Sequence, residues 1–133
     1  MNTMKEGVNE MYKERLDWKK CKELMDERMI MRGKNKGRVH LRYKTYLERC
    51  GEDFVVVHHH TNILRYKPDG TVVVSPEVWS STTKDRLNHY LRRGVRIFQK
   101  NFDWYLETDK DEMMDFYDGI VLTMKNGSWV VKQ

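Results

Sequence analysis

Two cysteines, Cys21 and Cys50, are too few to staple a fold, and neither sits at metal-ligand spacing from another. A disulfide scaffold is excluded, and the pair reads as reduced thiols of a cytoplasmic protein. No apolar run approaches the roughly 18 residues of a membrane span. The first residues lack the apolar centre of a secretory signal. The expectation is a soluble protein of the cytoplasm, the host's if the gene is viral, with no membrane partner.

The signatures of common chemistry are missing too. There is no P-loop, no G-x-G-x-x-G, no G-x-S-x-G elbow and no H-E-x-x-H pair. Nucleotide binding and serine hydrolysis therefore have no support in a motif. Asp109, Asp111, Glu112 and Asp115 lack the central glycine of an EF-hand and read as a solvated acidic loop. No cofactor is implied, and the enzyme reading is uncertain and leans towards none.

What is present is charge and aromatic residues. The 133 residues suit one ordinary domain, and the formal charge is +5. Four tryptophans argue against disorder, because disordered chains are poor in aromatics. The cations cluster: Arg32, Lys34, Lys36, Arg38, Arg42, Lys44 and Arg49 in one group, Lys84, Arg86, Arg92, Arg93, Arg96 and Lys100 in another. The acids pool late, from Asp103 to Asp118.

The periodicity divides the chain at Gly33 to Gly37. Before it, Val8, Met11, Tyr12, Leu16, Cys21, Leu24 and Met25 recur mostly at helical steps, so residues 8–31 read as one long helix. After it, alternation takes over. Val39, Leu41, Tyr43 and Tyr46 predict a first strand, residues 54–57 a second, and residues 63–66 a third or a continuation after a bulge. Pro68-Asp69-Gly70 and Asn126-Gly127 predict hairpin turns, since glycine accepts a positive φ. Residues 81–93 predict a second helix capped by Thr82 or Thr83, ending at Gly94. The fold class is α+β: a long N-terminal helix (1–33), then an antiparallel sheet body (38–133) with one inserted short helix, a single domain overall.

Two constellations carry chemistry. His58, His59 and His60 form a run in which, on a strand, His58 and His60 would share a face. With a third ligand they would hold a metal, but these are weak candidates and a strand-end polar cluster accounts for them equally. The stronger signal is cations interleaved with aromatics. Arg42, Tyr43, Lys44, Tyr46, Arg86, Arg92, Arg93 and Arg96 combine phosphate-binding charge with rings that stack on unpaired bases. The competing account is that the tyrosines are core and the arginines rim.

The central segment resembles a family of small proteins of bacteriophage and viral-metagenome genomes. The shared pattern is Thr45, Tyr46 and Leu47; His60, Thr61 and Ile63; Asp69, Gly70 and Thr71; Trp79; Thr82, Thr83, Lys84, Arg86, Leu87 and Asn88; Trp104 and Tyr105; and Phe116, Asp118 and Gly119. It spans about residues 45–122. Glu77-Val78 stands where the family has a glycine pair, and the long N-terminal helix lies outside the pattern. The resemblance implies phage origin and no particular activity. Among its polar residues, His60, Thr61, Lys84, Arg86 and Asn88 are candidates for one anion site at the start of the second helix, or for a structural knot between helix and sheet.

The leading reading is a small, non-catalytic phage accessory protein binding nucleic acid through a basic face. The alternative is a protein-binding module or inhibitor of a host enzyme or defence system, docking through the N-terminal helix, which also admits a homodimer. A metal-dependent hydrolase built on the histidines comes third.

Overall fold

Turn chemistry cuts the chain into short antiparallel strands. In a computed structural model, residues 15–91, 94–108 and 113–132 are described. Two helices and ten strands are found among them: α1 (Trp18–Arg28), β1 (Val39–Arg42), β2 (Thr45–Cys50), β3 (Asp53–His58), β4 (Thr61–Tyr66), β5 (Val72–Val74), α2 (Ser81–Tyr90), β6 (Val95–Lys100), β7 (Asp103–Thr108), β8 (Met113–Asp115), β9 (Ile120–Lys125) and β10 (Ser128–Val131). Seven strands form one sheet in the order β1-β2-β3-β4-β5-β9-β10, and β6-β7-β8 form a second. Every pairing is antiparallel. The architecture is α+β, as the alternation predicts.

The two glycine turns form where expected. Asp69 Oδ1 accepts from the Thr71 backbone N–H at 3.0 Å and from the Thr71 hydroxyl at 2.8 Å. Gly70 sits at φ +93. Asn126 and Gly127 take φ of 52 and 79, the double positive φ of a tight hairpin whose twist matches its strands.

The N-terminal helix is shorter than its apolar spacing predicts. Asp17 is extended (φ −141) and its carboxylate accepts from Lys20 N at 2.7 Å, so it caps a helix beginning at Trp18 rather than lying inside one. Met29 leaves the helix at ψ 132. The long helix over 8–31 is thereby corrected to 11 residues; its expected first part, residues 8–14, lies outside the described residues. Leu16, Cys21 and Leu24 are buried in the core, and Leu16 N donates to Tyr90 O at 3.0 Å. The apolar stripe of α1 therefore faces the chain's own interior. The basic stretch after it is a closed turn, with Ile30 N bonded to Arg38 O and Gly37 N to Ile30 O, both at 2.8 Å.

One face of the large sheet carries the core. Leu47, Val56, Val74 and Ile120 point there with no exposed surface, and Leu87 from α2 and Leu106 from β7 cover them equally completely. Each such side chain contributes about 1.5–3 kcal/mol by leaving water. Tyr66 adds a tie, its hydroxyl donating to Tyr90 O at 2.8 Å.

Helix α2 is capped at Ser80, two residues before Thr82, the nearer of the two expected caps. Ser80, in extended backbone, accepts from Thr83 N at 3.1 Å, and its hydroxyl pairs with Thr83 Oγ1 at 3.0 Å. A cap must stand outside the helical backbone, and Thr82 and Thr83 are already within it. The helix also ends at Tyr90, before the expected Gly94, because Leu91 turns extended (ψ 152) and drops into the core. No helix among the described residues is long and apolar enough to cross a membrane.

Candidate functional site

Two hairpin tips meet the solvent end of α2. The stretch read as one strand from Val39 to Tyr46 is two, β1 and β2, turning at Tyr43-Lys44 with Lys44 at φ 54. The histidine run is likewise a corner: His58 ends β3, and His59 (φ 58) and His60 make the turn into β4. His59 N donates to Lys44 O at 2.8 Å, which locks the tips side by side.

A bulge aims Arg42 at α2. In β1, Val39 pairs with Leu47, His40 with Tyr46, and Arg42 with Thr45, leaving Leu41 as an extra residue. Side chains opposite one another across a ladder share a face. In an unbroken ladder Leu41 would oppose Thr45 and Arg42 would fall on the outer face with His40; with the bulge, Arg42 joins Val39, Leu47 and Thr45 on the face that α2 covers.

Thr45 is the hub. It is fully buried and paired across the strands with His58. Its hydroxyl donates to Tyr43 O at 3.0 Å, accepts from Arg86 Nε at 3.2 Å, and lies 3.0 Å from His58 Nδ1. A hydroxyl has one proton, so whenever it goes to Tyr43 O the Thr45–His58 bond is donated by His58 Nδ1–H. Burial lowers the His58 pKa from its ordinary 6.5, and the neighbouring His59 and Arg86 lower it further. The folded state thus favours the uncharged His58 ring.

Arg86, held at Nε by Thr45, turns NH1 to Asp85 Oδ2 at 2.9 Å. Arg42 NH1 lies 3.9 Å from the same oxygen and 3.4 Å from His89 Nδ1. Tyr43, at the tip, is 74 % exposed, with the Lys44 ammonium 5.6 Å from its ring centre. Two guanidinium groups, a lysine and an open aromatic face therefore sit together, with one carboxylate between the arginines. This arrangement can bind an anion next to a planar ring.

Other candidate residues lie elsewhere. Tyr46 is clamped, with Arg38 over its ring at 5.4 Å, His40 against its edge at 5.3 Å and Asn35 donating to its hydroxyl at 3.2 Å. Arg96, on β6, lies over Phe98 at 4.4 Å and pairs with Glu107 at 3.2 Å. Arg92 and Arg93 lie outside the described residues. Cations further off face carboxylates: Arg38 meets Glu48 at 3.0 Å and Arg65 meets Asp53 at 2.7 Å.

The five polar residues considered as one anion site divide between the two sheets. Arg86 faces the large sheet. Lys84 and Asn88, four apart on α2, face the small one: Lys84 Nζ lies 5.4 Å from the Trp104 ring centre, and Asn88 bonds both backbone groups of Ile97. His60 is exposed at its tip, with Thr61 half-buried beside it. As for a metal, His58 is turned inward while His60 is in the turn, so the two do not share a face; among the described residues no group of three or more His, Cys, Asp or Glu is placed to hold an ion.

Sequence reasoning gave Thr45 no role beyond its place in the shared pattern, and it missed Asp85 as a member of the cluster. It also left Trp79 and Asp118 without a role. Trp79 Nε1 and Glu77 N both donate to Asp118 Oδ1, at 3.0 and 2.9 Å, and Trp79 packs on Trp104 and Phe116 with ring centres 5.5 and 5.2 Å apart. The carboxylate supports Glu77 at φ 62, at the place where the resembling family has glycines.

No curated protein and no solved structure matches the chain. A family model described as Kyanoviridae Gp96 protein matches residues 20–130, which include both hairpin tips, all of α2 and the Trp79–Asp118 support. With most of its length matched, the chain belongs to the Kyanoviridae Gp96 protein family, a family of phage proteins.

Proposed function

We propose that this phage protein binds single-stranded nucleic acid, without catalysing a reaction on it, at the junction of the two hairpin tips with α2. Arg42, Lys44 and Arg86 contact phosphates, and Tyr43 stacks on a base. The observation that carries the reading is the approach of Arg42 and Arg86 to one shared point, 3.9 and 2.9 Å from Asp85 Oδ2, beside a ring that is 74 % exposed. Unpaired bases offer a face to such a ring, whereas a duplex keeps its bases stacked. Three phosphate contacts predict a salt slope of about −2 for a single strand.

The test is binding of labelled single- and double-stranded oligonucleotides across a salt series. Preference for the single strand, with that slope, is the expected result. No binding at low salt overturns the proposal.

A further inference from the structure

Asp85 holds an unusual place in the cluster. Neighbouring residues on a helix point apart, so helical geometry alone does not bring an aspartate onto the arginine that follows it. Here Arg86 is anchored from behind by Thr45, its side chain only 13 % exposed, while Asp85 is 66 % exposed. The guanidinium is thus fixed and the carboxylate is the movable partner. Arg42 approaches the same Oδ2 from β1. The point where two guanidinium groups from separate elements converge is filled by one singly charged oxyanion of the protein itself.

A phosphodiester carries the same single charge and accepts from arginine in the same manner. The Asp85 carboxylate is itself largely in water, which screens its hold on the arginines, so another anion can exchange for it there. We infer that Asp85 Oδ2 stands where a backbone phosphate oxygen binds between Arg42 and Arg86, so that Asp85 is a built-in competitor which the nucleic acid displaces. This rests on the nucleic-acid reading above. The competitor keeps the arginines oriented while no ligand is bound, and it weakens the hold on any polyanion that cannot also use Tyr43.

The experiment measures the affinity of the full chain and of two variants for one labelled single-stranded oligonucleotide at low salt. Asp85→Asn removes the competitor. Asp26→Asn makes the same change in net charge on α1, at an aspartate that is 71 % exposed. Asp85→Asn is expected to tighten binding about two- to fivefold more than Asp26→Asn. Binding by Asp85→Asn alone also supports the inference. Equal gains in the two variants, or weaker binding by Asp85→Asn while the unaltered chain binds, overturns the inference and leaves the nucleic-acid reading standing. Failure of all three proteins to bind overturns both.

Discussion

Asn88 takes the place of a strand neighbour for Ile97. Its Nδ2 donates to Ile97 O at 2.7 Å and its Oδ1 accepts from Ile97 N at 2.8 Å, the double exchange that adjacent antiparallel residues make. One side chain thereby joins α2 to β6 and satisfies two backbone groups on that strand.

Asn88→Ala should destabilise the protein by about 1–3 kcal/mol, since both Ile97 groups lose their partner in a part-buried place. Asn88→Asp should fall between, keeping the acceptor for Ile97 N and losing the donor to Ile97 O. Urea denaturation of the three proteins checks the order.

Acidification should destabilise the fold through His58. Its pKa is lowered in the folded state, first by burial and then by His59 and Arg86. The folded chain therefore binds fewer protons than the unfolded one as pH falls through the ordinary histidine value, 6.5. Stability is fully present above that value and declines below it towards the folded pKa. His58→Gln should flatten the stability profile between about pH 7.5 and pH 5.5, above the carboxylate range. An unchanged profile in the variant counts against this account.

The two thiols should react very differently. Cys50 is exposed, 3.4 Å from an Arg65 nitrogen. Cys21 is fully buried, and burial, with Asp17 nearby, pushes its pKa far above the ordinary thiol value. A chromogenic disulfide reagent at neutral pH should modify one cysteine promptly and the second only in denaturant.

Tyr43→Ala should weaken single-strand binding by about 1–3 kcal/mol, the usual worth of one base stacked on an aromatic ring. It should change stability by less than about 0.5 kcal/mol, because the ring lies in solvent. Tyr43→Phe should retain most of the affinity. Fluorescence anisotropy and thermal melting separate the two effects.

Leu24→Ala should cost about 2–5 kcal/mol, as a large-to-small change in a packed interior. Leu24 is 7 % exposed and packs in the same cluster as Leu47 and Phe54. Thermal unfolding that stays a single transition while its midpoint falls would show α1 to melt with the sheet.

The fold was legible wherever residue chemistry itself demands a conformation. Gly70, Asn126 and Gly127 announce positive φ, and the apolar β-type runs at 54–57 and 71–74 announce strands. Lys44 and His59 take positive φ too, but nothing in a lysine or a histidine signals it. Their turns exist because the flanking strands pair, a tertiary cause invisible to a local window. The same blindness explains α1: apolar spacing carried the helix straight through Asp17, whose carboxylate instead bonds Lys20 N and caps the start of the helix at Trp18. Of the candidate site, Arg42, Tyr43, Lys44 and Arg86 were visible as charge and aromaticity. The roles of Thr45 and Asp85 were not, because they depend on which face of β1 and β2 meets which face of α2.

The extra residue at Leu41 makes the face that Arg42 takes a matter of strand register rather than of side-chain identity. Excising Leu41 would restore unbroken pairing with Arg42 still opposite Thr45. A smooth ladder that kept Leu41 would instead set Leu41 against Thr45, send the Arg42 side chain to the far side of the sheet and leave Arg86 without its companion.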